Sequence, residues 1–288
     1  MSASKSRSYR LDDLPRFSPW PARLLGLEPW EQRHKTPQEV SREYELEKWG
    51  PLFSKVQDVG ARASVEEVDS WVLGQEPVGL CSTGDAFELL SPLHAHQRHV
   101  DLIEETLRQY LPASALCELG CGYGSVILRL AKTARFEGLP ILAGEYTPSG
   151  VKLTQYLAAA EGLRVTVAPC DLALPRITDL EIPPGAIIFT SFAVPYVPKL
   201  SIDFITALSA WKPKAVVHFE PCYEHCDGSS LIGLMRKRYI ETNGYNTNLI
   251  ELLQGSQRDG KISILEERPA VFGANPLLPV SIVAWAPR

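Results

Sequence analysis

The stretch Glu118-Leu119-Gly120-Cys121-Gly122-Tyr123-Gly124 decides how the rest of the chain is read. The short apolar run Ala115 to Leu119 before it predicts a strand, and Ser125 to Lys132 after it predicts a helix. A strand, a turn with glycine at alternate positions and a helix make a loop built for close backbone approach to a ligand. Glycines remove the side chains that would hold a ligand away, and a helix start offers unpaired N–H groups. Ser125 occupies the place of the third glycine in the dinucleotide pattern G-x-G-x-x-G. Glu118 stands two residues before the first glycine. A carboxylate there suits a ligand carrying an ammonium group better than one carrying a pyrophosphate.

Working outward, strands and helices alternate on the C-terminal side. Pro140 to Glu145 reads as a second strand, and Thr147-Pro148 caps a helix that stops at Gly162. Arg164 to Ala168, Ala186 to Phe192 and Ala215 to Glu220 read as further strands, with a helix from Ile202 to Trp211 linking the last two. One long helical stretch covers about Ser229 to Leu253. Lys261 to Phe272 and Val280 to Pro287 read as two strands with no helix between them, so they must pair antiparallel. The expected fold is α/β: a seven-stranded, mostly parallel Rossmann-like sheet with an antiparallel C-terminal strand. Residues 113–288 form this domain, and residues 1–112 form a helical N-terminal extension packed on it. In the extension, Thr36-Pro37-Gln38-Glu39 and Ser64-Val65-Glu66-Glu67 are capping boxes, and a longer helix follows Ser91-Pro92. No strand is expected there.

Glu145 closes the second strand, where folds of this kind grip a ribose diol. With that, the chain resembles the class I S-adenosylmethionine methyltransferases from about Ala115 to Arg288. The resemblance implies S-adenosylmethionine as cofactor. It implies that Glu118, Gly120, Cys121 and Gly122 wrap its methionine and ribose portions and that Glu145 binds the ribose hydroxyls. Tyr146 matches the neighbour that packs on adenine, and Asp171, with Leu172 beside it, matches the residue that accepts from the adenine amino group. Thr190 stands near the end of the fourth strand, where the family builds the wall between cofactor and acceptor. Asp171 also suits a helix cap, and Tyr146 also suits core packing.

The acceptor pocket of such folds lies beyond the strand ends. There His218-Phe219-Glu220 is dense in titratable groups, and strand alternation points His218 and Glu220 to one face. Either is a candidate general base, which favours O-methylation, with N-methylation second. His94, His96 and His99 are expected to be a solvent-facing set, although the family's preceding helix borders the cofactor and one of them could reach it. Tyr196, Tyr239, Tyr245 and Asn246 are acceptor-site candidates, each singly more at home in packing or surface. Cys222, His225 and Cys226 lack the second ligand pair a zinc site needs, so no metal is expected.

The net charge of −5 argues against nucleic acid as partner, and Ser191-Phe192-Ala193-Val194 stands where nucleic-acid methyltransferases carry D/N-P-P-Y/F. The basic run Met235-Arg236-Lys237-Arg238 reads as a solvated helix face. No secretory signal is visible in Met1 to Arg7, no apolar run suits a membrane span, and the six scattered cysteines read as reduced thiols. These features point to a cytoplasmic enzyme acting on a small-molecule or peptide-like acceptor, with a homodimer admitted. The alternatives are a catalytically inactive binding protein on the same fold and a nicotinamide-dependent oxidoreductase.

Overall fold

In a computed structural model, residues 9–30, 36–59, 63–75, 77–174 and 176–288 are described; the stretch Met1 to Arg7 lies outside them. Helix starts follow the capping signals. Thr36 Oγ1 accepts from Glu39 N while Glu39 accepts from Thr36 N, and Ser64 and Glu67 repeat the exchange. The elements of the first third are α1 (Trp20–Leu24), α2 (Pro37–Glu43), a π-helical stretch Tyr44–Trp49, α3 (Gly50–Asp58), α4 (Val65–Leu73) and α5 (Pro92–Leu107). The helical run that begins at Pro37 does not stop at Trp49 but continues through Pro51. The wider π turn, with Gly50 N donating to Glu45 O, lets a residue without an N–H enter the run.

The first third also contains a hairpin, β1 (Gly79–Thr83) and β2 (Ala86–Leu90), which corrects the expectation of no strand. Its turn is Gly84-Asp85, with Gly84 at φ +58°. Ser82 and Gly273 exchange backbone hydrogen bonds at 2.8 Å, docking the hairpin on the C-terminal strands.

The main sheet contains β3 (Leu116–Leu119), β4 (Ile141–Glu145), β5 (Val165–Pro169), β6 (Ile187–Ser191), β7 (Ala215–Glu220), β8 (Ile262–Phe272) and β9 (Val280–Pro287). Their spatial order is β5-β4-β3-β6-β7-β9-β8, and only β9 runs against its neighbours. Helices α6 (Ser125–Ala131) and α7 (Pro148–Ala160) cover one face together with α5. Helices α8 (Ile202–Ala210) and α10 (Leu249–Arg258) cover the other, and α9 (Leu231–Thr242) lies outside this layer. The predicted stretch Ser229 to Leu253 is thus two helices. Gly244 at φ +64° ends the first, and the Asn246 side chain accepts from Asn248 N and Leu249 N to start the second.

Val56 of α3 and Val65 and Val68 of α4 are fully buried in the same apolar cluster as Leu116, Ile127 and Phe189. The first third therefore shares a core with the sheet. The basic run is not a solvated face throughout. Arg236 is buried, and its guanidinium donates to the Pro276 carbonyl at 2.9 Å. All six cysteines are buried and free. Among the described residues, no helix is long and apolar enough to cross a membrane.

Candidate active site

The β3–α6 turn is left-handed at each glycine, with φ +85° at Gly120, +60° at Gly122 and +84° at Gly124. Gly120 N and Cys121 N both donate to the Gly144 carbonyl, at 2.8 and 2.9 Å. A Cβ on Gly120 would run into the Ala193 side chain, and one on Gly122 would lie 3.2 Å from the Trp49 ring. The turn is therefore bare because both the backbone and its neighbours require it.

Three strand ends place carboxylates along this turn. Glu145, buried at the end of β4, accepts from Thr147 N and Oγ1 and, through its other oxygen, from Gly122 N at 3.0 Å. Burial raises its carboxyl above the ordinary value. Glu118 at the end of β3 is 2% exposed, and its Oε2 has no hydrogen-bond partner. Burial, with Glu145 and Glu220 adding their charges, pushes this carboxyl up to about 8. Beyond β5, Asp171 accepts from Ala173 N at 2.9 Å. Glu118, Gly120, Cys121 and Gly122 line one cleft of about 870 Å³. Glu145, Tyr146, Asp171 and Leu172 line the same cleft, with Tyr146 38% exposed and Leu172 buried.

The remaining expectations are corrected by the geometry. His218, Glu220 and Thr190 do not line the cleft; all three are fully buried in the sheet. Trp285 Nε1 donates to His218 Nε2 at 3.0 Å, so the imidazole proton sits on Nδ1 and is shared with Thr190 Oγ1, also at 3.0 Å. Burial pushes His218 down to about 3. Glu220 Oε1 accepts from Ala193 N and Val194 N, fixing the loop after β6. The rim position read for His218 fails because β9 packs its Trp285 against it, and that read for Glu220 fails because its carboxylate turns to Ala193 N and Val194 N.

The histidines of α5 depart from the expected solvent-facing set. His94 stays at the helix start beside Ser91, but His96 and His99 line the cleft. His99 is 7% exposed, with Nε2 2.8 Å from Ser191 Oγ, and burial pushes it down to about 3. His96 Nε2 lies 2.7 Å from Ser125 Oγ. Behind them sits a residue absent from the sequence reading. Asp69 of α4 is fully buried and accepts from Tyr123, Ser125 and Arg129.

Over the turn, the π-helical stretch supplies Trp49 and Tyr44, and the Tyr44 hydroxyl donates to that of Tyr196 at 2.5 Å. Glu45 holds this stretch down by accepting from Ser149 N and Oγ at 2.9 and 2.6 Å. Tyr245 borders a neighbouring cavity, Tyr239 packs against Trp20, and Asn246 holds the α9–α10 connection. His225 Nε2 lies 2.9 Å from Glu267. Among the described residues, no group of three or more His, Cys, Asp or Glu is placed to hold a metal ion.

No protein-family model and no curated protein sequence matches the chain. Among solved structures it is similar to the 4+2 cyclase SpnF, with a TM-score of 0.54 at 18% identity, covering 87% of this chain and 96% of that one. The chain has the Rossmann-like methyltransferase fold. The chain is also similar to magnesium protoporphyrin IX methyltransferase from Synechocystis PCC 6803 with bound S-adenosylhomocysteine, at TM-score 0.48 and 16% identity, covering 67% of this chain and 84% of that one. Geranyl diphosphate C-methyltransferase from Streptomyces coelicolor A3(2) is similar at TM-score 0.47 and 12% identity, covering 66% and 80%. A methyltransferase fold shared with a cyclase leaves the reaction to be argued from the site itself.

Proposed function

We propose that the protein binds S-adenosylmethionine along the ends of β3, β4 and β5 and transfers its methyl group to a small-molecule or peptide-like acceptor. The observation that carries this reading is Glu118 Oε2, a buried carboxylate oxygen without a partner at the wall of the cleft. Such an atom is costly unless a cation reaches it, and the ammonium of the cofactor's methionine end is one. The bare turn at Gly120-Cys121-Gly122 accommodates the methionine and ribose portions. Glu145 Oε2, which accepts from Gly122 N, keeps a lone pair for a ribose hydroxyl. Tyr146, Asp171 and Leu172 suit adenine. Bound there, S-adenosylmethionine supplies a methyl group already activated by its sulfonium charge.

The chain then has to hold the acceptor in line and exclude water. Val40, Leu52, Val72 and Leu73 make the cleft wall toward the first third apolar, and Phe192 and Val197 do so on the other side. That lining and the net charge of −5 favour a largely apolar, uncharged or cationic small molecule over a nucleic acid. Residues of the N-terminal extension act as a lid through Tyr44 and Trp49. O-methylation is the preferred reaction, with the proton taken by a group that faces the cleft.

Isothermal titration with S-adenosylhomocysteine tests the cofactor assignment, with saturable binding expected that weakens on Glu118→Ala. Mass spectrometry of a cell extract treated with the protein and labelled S-adenosylmethionine tests the transfer. A chain that binds NAD and ignores S-adenosylhomocysteine would sink the reading.

A further inference from the structure

Ser125 Oγ lies 2.7 Å from Asp69 Oδ1 and 2.7 Å from His96 Nε2. Asp69 is paired with Arg129 at 2.6 Å and also accepts from the Tyr123 hydroxyl, so it is an acceptor only. The single hydroxyl proton of Ser125 must therefore go to Asp69. Ser125 Oγ then accepts from His96, which places the imidazole proton on Nε2 and leaves the lone pair on Nδ1. Among the described residues that Nδ1 has no partner. His96 lines both the main cleft and an adjoining apolar pocket of about 230 Å³ bounded by Leu90, Ala95 and Phe272. His99 also lines both, but its Nε2 is engaged by Ser191 and its Nδ1 is closed off from solvent.

We propose that His96 is the general base of the reaction, acting on an acceptor with an acidic hydroxyl, a phenol or an enol, whose apolar body enters the adjoining pocket. This rests on the methyl-transfer reading above. Asp69 and Ser125 are positioning residues: they set the tautomer, and Asp69, 3.6 Å from His96 Nε2, meets the charge that forms there. The acceptor oxygen forms its bond to the methyl carbon as the carbon–sulfur bond breaks and leaves its electron pair on sulfur. The hydroxyl proton passes to His96 Nδ1 and then to water. The groups facing His96 are Asp69 of α4, Arg129 of α6 and His99 on its own helix. Burial lowers the basicity of His96, Asp69 opposes this and Arg129 adds to it. A weak base of this kind serves acidic hydroxyls, not aliphatic alcohols.

The test uses the full chain labelled with 15N histidine and long-range proton–nitrogen correlation spectra, with His96 assigned through His96→Gln. A protonated Nε2 and a bare Nδ1 are expected above neutral pH, with Ser125→Ala bringing in the opposite tautomer. Adding 4-methylphenol should move the His96 Nδ1 resonance and leave those of His94 and His218 in place. With 4-methylphenol and labelled S-adenosylmethionine, His96→Gln should lower kcat about a hundredfold. It should also abolish the acidic limb of the pH profile and leave S-adenosylhomocysteine affinity within about twofold, since the variant removes a proton acceptor and no cofactor contact. A protonated Nδ1, an Nδ1 that ignores 4-methylphenol up to its solubility, or unchanged turnover in His96→Gln would overturn the proposal. S-adenosylhomocysteine binding on the same samples separates the two readings. Lack of binding removes methyl transfer and the base's role with it, whereas binding alongside a protonated Nδ1 overturns the base alone.

Discussion

Asp69 Oδ1 accepts from the Tyr123 hydroxyl at 2.7 Å, which fastens α4 of the first third to the glycine turn. The carboxylate has no exposed surface, and its desolvation is offset by Tyr123, Ser125 and the Arg129 guanidinium together. Asp69→Ala would leave the largely buried Arg129 with the Gln97 amide oxygen but no carboxylate, and it should cost roughly 3–5 kcal/mol of stability. Urea unfolding checks this. A loss under about 1 kcal/mol would mean that the network contributes little to holding the turn.

Glu118 makes a pH prediction with a definite sign. Its folded-state value of about 8, and that of Glu220 at about 7, lie above the ordinary 4.5, so the folded chain binds more protons than the unfolded one in that interval. Stability therefore falls as pH rises through it, and Glu145 adds in the same direction. His99 and His218, depressed to about 3, act oppositely, but their window closes at the ordinary 6.5. From 6.5 to 8 the buried carboxyls dominate, so the ligand-free chain should lose stability there and Glu118→Gln should flatten the slope. Urea midpoints at the two ends of the interval decide it, and parallel slopes would remove Glu118 as the cause. A cationic ligand should bind more tightly as pH rises over the same range and release a proton when it binds.

His218 should behave as a structural residue. His218→Ala leaves the Trp285 N–H buried without an acceptor and opens a cavity beside Phe204, which should cost about 2–4 kcal/mol. Per folded molecule, S-adenosylhomocysteine affinity should be unchanged and turnover should stay within about twofold, because His218 does not line the cleft. A stable His218→Ala chain with turnover reduced a hundredfold would return this residue to catalysis.

These contrasts show what the sequence carries. Gly120, Gly122, Glu118 and Glu145 are legible because their spacing is local: a strand end, a bare turn and the next strand end follow one another in the chain. The pattern of β3, β4, β6, β7 and β9 is legible for the same reason, since strands buried on both faces read as short apolar runs. The Gly84-Asp85 hairpin has a turn signal, but its strands lack clean alternation because one side packs under α5 and the other under the Leu14 cluster. Asp69 carries no local signature. It meets Tyr123 and Arg129 from more than 50 residues away, and only the folded chain shows that α4 delivers it there. His218 misleads for the opposite reason: its place near a strand end is correct, but Trp285 from a distant strand closes over it.

The fastening of the π-helical stretch decides whether it is a lid or a fixed wall. Trp49 lies against Gly122, where even an added Cβ would be 3.2 Å from the ring. Its indole Nε1 is buried without a partner, so nothing polar anchors the ring itself. The anchor is Glu45, whose two oxygens take Ser149 N and Oγ at the start of α7. This is a pair of charge-assisted hydrogen bonds at a helix N-terminus that can open without breaking the core. If the stretch opens to admit ligand, Glu45→Gln weakens the latch and Trp49→Ala removes the cover. Both should raise the dissociation rate of S-adenosylhomocysteine about tenfold, or ~1.4 kcal/mol, with little change in association. Trp49 fluorescence should respond to binding in Glu45→Gln as in the native chain. Stopped-flow measurements distinguish the cases: a wall would lower stability in both variants and leave the dissociation rate where it was, because closure would then be part of the fold and not a step in binding.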